Sequence, residues 1–501
     1  MPRTAWTLRR ALKWALLGTL ALLVVLPPLL YFAFLGIQEA SERQWLGRAP
    51  THNAIDVRLQ QPHPVALLDV GFDSLATRLR LIEEARTSIE LEFFIYEVDT
   101  ASRLVTQALA RKAREGVKVR LLVDFSLPVF KLAPHYAHEL AAAGVQVRYY
   151  NTAGLARFFA FNHRTHRKLL VVDRAKAIIG GRNIGDDYFD LSGRYNFLDS
   201  DLLIHGPVSA AIADSFDLYW ASDWVARPGD VAGAEAPDAP ELLGPASTAE
   251  ATLLAELQRH VPQHAPSTCP DIHFVTDYPG SGVERRKVFT ELTRLAQEAR
   301  QQILIESPYL VLREDGTAVL SALARRGVQL TLLTNSLTST DAFYTVASLA
   351  NGLDQLRQLP GLQVWAYGGQ PLAGSARPPA SPRWGVHAKR AVFDDHTVVV
   401  GTYNIDPRSA NLNSELMVVC RGNRTLAAEL QASIRARLAQ SRPVVGTASA
   451  GGDDTLVEGA DRDIEHPLSR IGAPARPAGP VARGADAGDL GLGLGERRAG
   501  L

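Results

Sequence analysis

Six residues recur twice at one spacing. His166, Lys168, Asp173, Gly180, Gly181 and Asn183 are matched, 221 residues on, by His387, Lys389, Asp394, Gly401, Thr402 and Asn404. Both runs read H-x-K-x4-D-x6-G-[GT]-x-N. A bare H-x-K-x4-D would arise by accident roughly 0.01 times in a chain of this composition, so two extended copies are not chance. Only 8 of the 53 basic residues are Lys, and Lys at both motif positions marks a need for a compact ammonium.

These residue types suit a phosphodiester. Its charge grows toward a five-coordinate phosphorane, so catalysis needs an in-line nucleophile, donors on the equatorial oxygens and a proton for the leaving alkoxide. Two imidazoles supply nucleophile and acid when one starts neutral and the other protonated. Lys168 and Lys389 would clamp the non-bridging oxygens, assisted by the amides of Asn183 and Asn404. The two ammonium groups do the neutralising, so this chemistry needs no metal and no cofactor. A covalent phosphoryl-histidine splits the transfer into two displacements, giving retention at phosphorus and ping-pong kinetics.

An imidazole in such a role needs a carboxylate on its other nitrogen. Downstream of the second motif the candidate is Glu415, in Asn413-x-Glu415 before the run Leu416-Met417-Val418. Downstream of the first, Asp199-x-Asp201 precedes Leu202-Leu203-Ile204. Aligning Ser414-Glu415-Leu416 with Ser200-Asp201-Leu202 selects Asp201 as the counterpart of Glu415, with Asp199 two residues away on the same strand face. His163 and His166 sit at a metal-pair spacing, but no Cys or Glu completes a zinc site. Tyr309 follows a strand end and reads equally as pocket wall or as packing.

The duplicated motif resembles the phospholipase D superfamily. Within it, Gly180-Gly181-Arg182-Asn183-Ile184-Gly185-Asp186-Asp187-Tyr188-Phe189 is similar to the bacterial cardiolipin synthases. So are Asn404-x-Asp406-x-Arg408-Ser409-x-x-x-Asn413-x-Glu415 and Asn335-Ser336-Leu337-x-x-Thr340-Asp341. Residues 342–385 follow that pattern poorly, which leaves the acceptor open. The resemblance implies a membrane-bound phosphatidyltransferase that forms cardiolipin from phospholipids such as phosphatidylglycerol. Water as acceptor gives the alternative, a hydrolytic phospholipase D. The resemblance also makes His166 the nucleophile, gives the downstream acids an orienting role, and makes Asp173 and Asp394 structural supports.

The duplication extends to the elements that must position these groups. Glu84-Ala85-Arg86-x-x-Ile89 recurs 214 residues on from Glu298, and Ala113-Arg114-Glu115-Gly116-Val117 recurs 211 on, from Ala324. Residues 72–85 carry apolar positions at helical spacing and 89–96 read as a strand. Residues 104–114 form another amphipathic helix, followed by an aliphatic strand over 117–123. Near-continuous aliphatic strands between helices predict sheets covered on both faces. The expected class is α/β: two homologous phospholipase D-like α/β/α repeats, at 60–225 and 251–440, sharing one active site. Residues 226–250 read as an exposed linker and 445–501 as a disordered tail.

Composition sets the address. A formal net charge of zero gives no whole-molecule case for a nucleic-acid partner, although Arg164, Arg167 and Arg174 could form a local basic mouth. Residues 14–37 are 24 uncharged, mostly apolar positions, long enough to cross a bilayer as a helix within an N-terminal anchor at 1–40. Arg3, Arg9, Arg10 and Lys13 precede them and favour an inside N-terminus, with the catalytic body outside the cytoplasm of a bacterial inner membrane. Such an address permits, without requiring, a disulfide between Cys269 and Cys420.

Overall fold

The computed structural model describes residues 10, 13–30, 32–33, 36 and 55–446, apart from 127–131, 153–159, 232–240, 263, 281–285 and 372–382. All of the expected tail except residues 445 and 446 lies outside the described residues, as do 372–382 of the poorly matching segment 342–385. One helix, Lys13–Leu30, with mean hydropathy 1.8, is long and apolar enough to cross a membrane, and none of it is buried.

Two nine-stranded sheets carry the repeats, and their orders correspond strand for strand. The first runs Val225–Ala226, Gln146–Tyr150, Lys118–Asp124, Ser88–Phe93, Leu169–Val172, Lys176–Gly180, Asp201–His205, His63–Leu68 and Ser267–Cys269. The second, read the same way, runs Ser441–Val445, Leu362–Tyr367, Gln329–Asn335, Gln302–Glu306, Arg390–Phe393, Thr397–Gly401, Leu416–Arg421, Asp271–Thr276 and Asp56–Leu59. In each, strands joined by a crossover helix are parallel and the motif hairpin is antiparallel, as short turns require.

The last strand of each sheet comes from the sequence of the other repeat. Asp56–Leu59 pairs with Asp271–Thr276, and Ser267–Cys269 pairs with His63–Leu68. Cys269 is disulfide-bonded to Cys420, with Cα atoms 5.7 Å apart, so a covalent link joins the two sheets. The helix Thr248–Arg259, which the sequence places beside the second repeat, adds Leu253, Leu254 and Leu257 to the first repeat's core. Part of the expected linker is built in as well. Leu242 is buried, and the amides of Glu241, Leu242 and Leu243 donate to Glu139.

Amphipathic spacing explains the outer layers. Gly71–Glu84 and Thr100–Arg114 turn Leu75, Leu79, Ile82, Leu104 and Val105 onto the first sheet. Asp99 caps the second of these helices by accepting from the Ser102 amide. A middle core draws on both sheets and on the helices Val208–Trp220 and Arg424–Leu438, with Phe216, Trp384, Leu416 and Leu430 at its centre. Both sheets are thereby covered on two faces, which is why their strands are aliphatic throughout.

Candidate active site

Two short parallel ladders between the repeats bring the motifs together. Arg164–Thr165 pairs with Asn413–Ser414, and Arg383–Val386 pairs with Tyr195–Leu198. Continuing each register by one residue sets His166 beside Glu415 and His387 beside Asp199. Backbone bonds hold these ends. The His166 amide donates to Ser414 O at 2.9 Å and the His387 amide to Leu198 O at 2.8 Å. Asn335 brackets Val386, accepting its N–H and donating to its carbonyl, each at 2.8 Å.

Each imidazole therefore takes its carboxylate from the other repeat. His166 Nδ1 lies 2.9 Å from Glu415 Oε2, and His387 Nδ1 lies 2.5 Å from Asp199 Oδ2. An ionised carboxylate only accepts, so Nδ1 carries the proton and Nε2 of the neutral ring is left unprotonated. Glu415 is itself held by the hydroxyls of Thr402 and Ser409 at 2.6 and 2.7 Å. The Ser200 amide donates to Asp199 Oδ1 at 2.7 Å.

Asp201 is not at the site, contrary to the alignment made from sequence. Gly180 pairs with Asp201 in the first sheet, whereas Gly401 pairs with Met417 in the second. The equivalent of Glu415 is thus Asp199, two residues earlier, and the shared Ser-acid-Leu pattern is a coincidence of the wrong register. The Asp201 carboxylate instead accepts from Ser74 at 2.8 Å and forms buried ion pairs with Arg78 and Arg182, each at 3.0 Å. The same geometry explains why the motif allows Gly or Thr. A Cβ at Gly181 would stand 2.1 Å from Asp199 Oδ1, whereas Thr402 donates to the longer Glu415.

The motif aspartates tie turns. Asp173 and Asp394 adopt left-handed backbone, with φ of 52° and 56°. The carboxylate of Asp173 accepts from the amides of Arg86, Thr87 and Ser88, and that of Asp394 from those of Arg300, Gln301 and Gln302. Each closes its hairpin onto the start of a neighbouring strand. Asn183 Oδ1 accepts from the Ile95 amide at 3.1 Å. Asn404 Oδ1 is buried with no hydrogen-bond partner among the described residues.

Lys168 Nζ donates to the His166 carbonyl at 2.7 Å, and Lys389 Nζ to the His387 carbonyl. Burial, then the charge of Lys389, draws Lys168 down to about 7. Burial draws Lys389 down to about 8, against the opposing pull of Asp199 and Asp341. Burial likewise holds His166 and His387 low, at about 4 and about 3, with the lysines adding to the effect. The site thus buries two ammonium groups and two imidazoles whose charged forms lack solvent. Binding a constant-charge oxyanion such as tungstate should raise these values and take up protons. Its affinity is therefore expected to fall about tenfold per pH unit between the two lysine values and up to about a hundredfold per unit above both. Titration calorimetry in buffers of different ionisation heat measures both, and a pH-independent affinity would contradict this electrostatic account.

Aromatic groups wall the histidines. The Phe94 ring lies 5.2 Å from that of His166, and Phe197 and Tyr188 lie 4.8 and 5.3 Å from that of His387. Tyr309 donates to Asp341 at 3.0 Å. The arginines near the first motif form no basic mouth. Arg164 is buried against Asp124 and Arg167 against Glu92, while Arg174 pairs with Asp214 and Asp217. Sequence reasoning overlooked the ladders, Thr402, Ser409 and the ring contacts. Only Thr402 and Ser409 carried a signal, since both lie in motif runs.

Comparison with known proteins points the same way. Residues 79–223 and 292–438 match the family described as cardiolipin synthase, PLD-like domain. The chain is 29% identical over 387 residues to cardiolipin synthase C of Escherichia coli K12, covering 70% of this chain and 79% of that protein. It is 30% identical over 357 residues to cardiolipin synthase A of Pseudomonas syringae pv. syringae B728a, covering 71% and 64%. The fold resembles the crystal structure of phosphatidylserine synthase from Haemophilus influenzae Rd KW20, with a TM-score of 0.57 and 14% identity over 76% of this chain and 87% of that one.

Proposed function

The chain belongs to the cardiolipin synthase family of phospholipase D-like domains, and we propose that it forms cardiolipin from phospholipids such as phosphatidylglycerol. It is an enzyme of the phospholipase D superfamily, a phosphatidyltransferase. The observation that carries the finer reading is the reciprocal pairing of His166 with Glu415 and His387 with Asp199.

In this reading His166 Nε2 attacks phosphorus while His387, which takes up a second proton at Nε2 when the anionic phosphate binds, protonates the departing glycerol oxygen. Lys168, Lys389, Asn183 and Asn404 hold the non-bridging oxygens, and Glu415 stabilises the imidazolium that forms on His166. A hydroxyl of a second phosphatidylglycerol then gives its proton back to His387 and displaces the histidine, so that atoms and protons balance over the two steps. Purified protein given only phosphatidylglycerol in mixed micelles should yield cardiolipin and glycerol in equal amounts. Phosphatidic acid as the sole product, even with added alcohol, would make the enzyme a hydrolase.

We read the helix Lys13–Leu30 as an uncleaved anchor and place the catalytic body on the extracytoplasmic side. Four preceding positive charges support the orientation, and the Cys269–Cys420 disulfide supports an oxidising compartment. Protein denatured directly from cells should therefore show no free thiol, and two after reduction. Two free thiols before reduction would place the body in a reducing compartment. The bridge spans 151 residues and restricts the unfolded chain, so reduction should remove about 5 kcal/mol of stability in denaturant titration.

A further inference from the structure

The outer layer of the second repeat encloses an apolar space. In the second, a cavity of about 160 Å³ lies between the helices Lys287–Glu298 and Glu314–Arg325 and the sheet. Phe289, Leu292, Leu312, Val319 and Leu320 are among its walls, and its exposed lining is overwhelmingly apolar. Lys389, Gly401 and Asp406 also line it, so it reaches the second motif.

The repeat offsets compare the walls of this space with the first repeat. At 214 residues, Leu79 and Ile82 of the first repeat correspond to Thr293 and Ala296. At 211, Val105 corresponds to Gly316. Leu79, Ile82 and Val105 are buried in the first core, whereas Thr293, Ala296 and Gly316 all line the cavity. These three wall positions thus carry smaller side chains than their counterparts, whereas Phe289, Leu312 and Val319 are larger than Leu75, Ala101 and Ala108 at the same offsets.

We propose that this cavity holds part of one acyl chain of the phospholipid bound at the catalytic site. The proposal rests on the phosphatidyltransferase reading given above. An apolar cavity of roughly 150 Å³ stays dry and accepts a six-carbon ring, so this one takes a comparable length of alkyl chain. Its continuity with Lys389 selects that occupant, because a phosphate clamped by Lys389 leaves its own lipid tail close to the opening. The chain replaces the dispersion contacts that the missing side chains forfeit.

The test restores the first repeat's residues with Ala296→Ile and Gly316→Val. A Cβ at 316 meets only the end of the Leu312 side chain, at 3.2 Å, which can turn aside. The readout is the ratio of kcat/KM for dioleoyl-phosphatidylglycerol to that for bis(4-nitrophenyl) phosphate, which has no acyl chain. The ratio should fall at least about tenfold, as expected for losing the burial of several methylenes. A ratio within about twofold of wild type would overturn the cavity assignment. A wild-type enzyme that turns over the diester but no phospholipid would instead overturn the functional reading. Should the double variant not fold, wild-type protein can be photolabelled with phosphatidylglycerol bearing a diazirine in one acyl chain. Label on residues lining the cavity, in Lys287–Glu298, Glu314–Arg325 or the intervening Leu310 to Leu312, supports the proposal, and label confined to residues outside its walls overturns it.

Discussion

His166→Ala and His387→Ala are each expected to lower phosphatidyl transfer by about 10⁴-fold or more, with the fold intact. The two imidazoles act as a unit, one on phosphorus and one on the leaving oxygen, so the double variant should be scarcely worse than either single one. Both rings sit at the end of a short ladder whose hydrogen bonds are to backbone, and their removal leaves Glu415 and Asp199 otherwise held. Turnover in mixed micelles, with circular dichroism on the same samples, checks the expectation. A single variant retaining a tenth of wild-type activity would show that its imidazole is dispensable.

Asp199→Asn should lower kcat by roughly 10³- to 10⁴-fold with little change in thermal stability. The carboxamide cannot hold the His387 tautomer or stabilise its charged form, although it fills the same space. Asp201→Asn should do the reverse. It leaves the buried guanidiniums of Arg78 and Arg182 without their counter-charge, at a cost of about 3–5 kcal/mol, while the folded fraction keeps near-normal kcat. Denaturant titration and active-site-normalised kinetics separate the two. A catalytic defect in Asp201→Asn with unchanged stability would restore the sequence-based register.

That register marks the limit of what the sequence made legible. The duplicated motif, the amphipathic helices and the aliphatic strands were readable because each is a local pattern with a fixed period. The helix expected over 72–85 forms at Gly71–Glu84, and the strand expected over 117–123 forms at Lys118–Asp124. Asp201 was chosen because Ser-acid-Leu matched on both sides, whereas the true equivalence is set by strand pairing across Gly180 and Gly401. The crossing of His and carboxylate between repeats depends on ladders as short as two residues, too brief to leave a periodic signal. The exchange of Asp56–Leu59 and Ser267–Cys269 between sheets was hidden for the same reason. The arginines around the first motif looked like a basic mouth because their buried partners Asp124 and Glu92 lie far away in sequence.

The central claim is a two-step transfer through a histidine in a site that both repeats build. It is tested most directly by quenching the enzyme in alkali during turnover of ³²P-labelled phosphatidylglycerol and mapping the label. The expected result is an acid-labile ³²P phosphoramidate on His166, deacylated by the alkali but still linked through phosphorus, that forms in a burst and decays when acceptor alcohol is added. The absence of any adduct under burst conditions, with inversion at phosphorus, would contradict it.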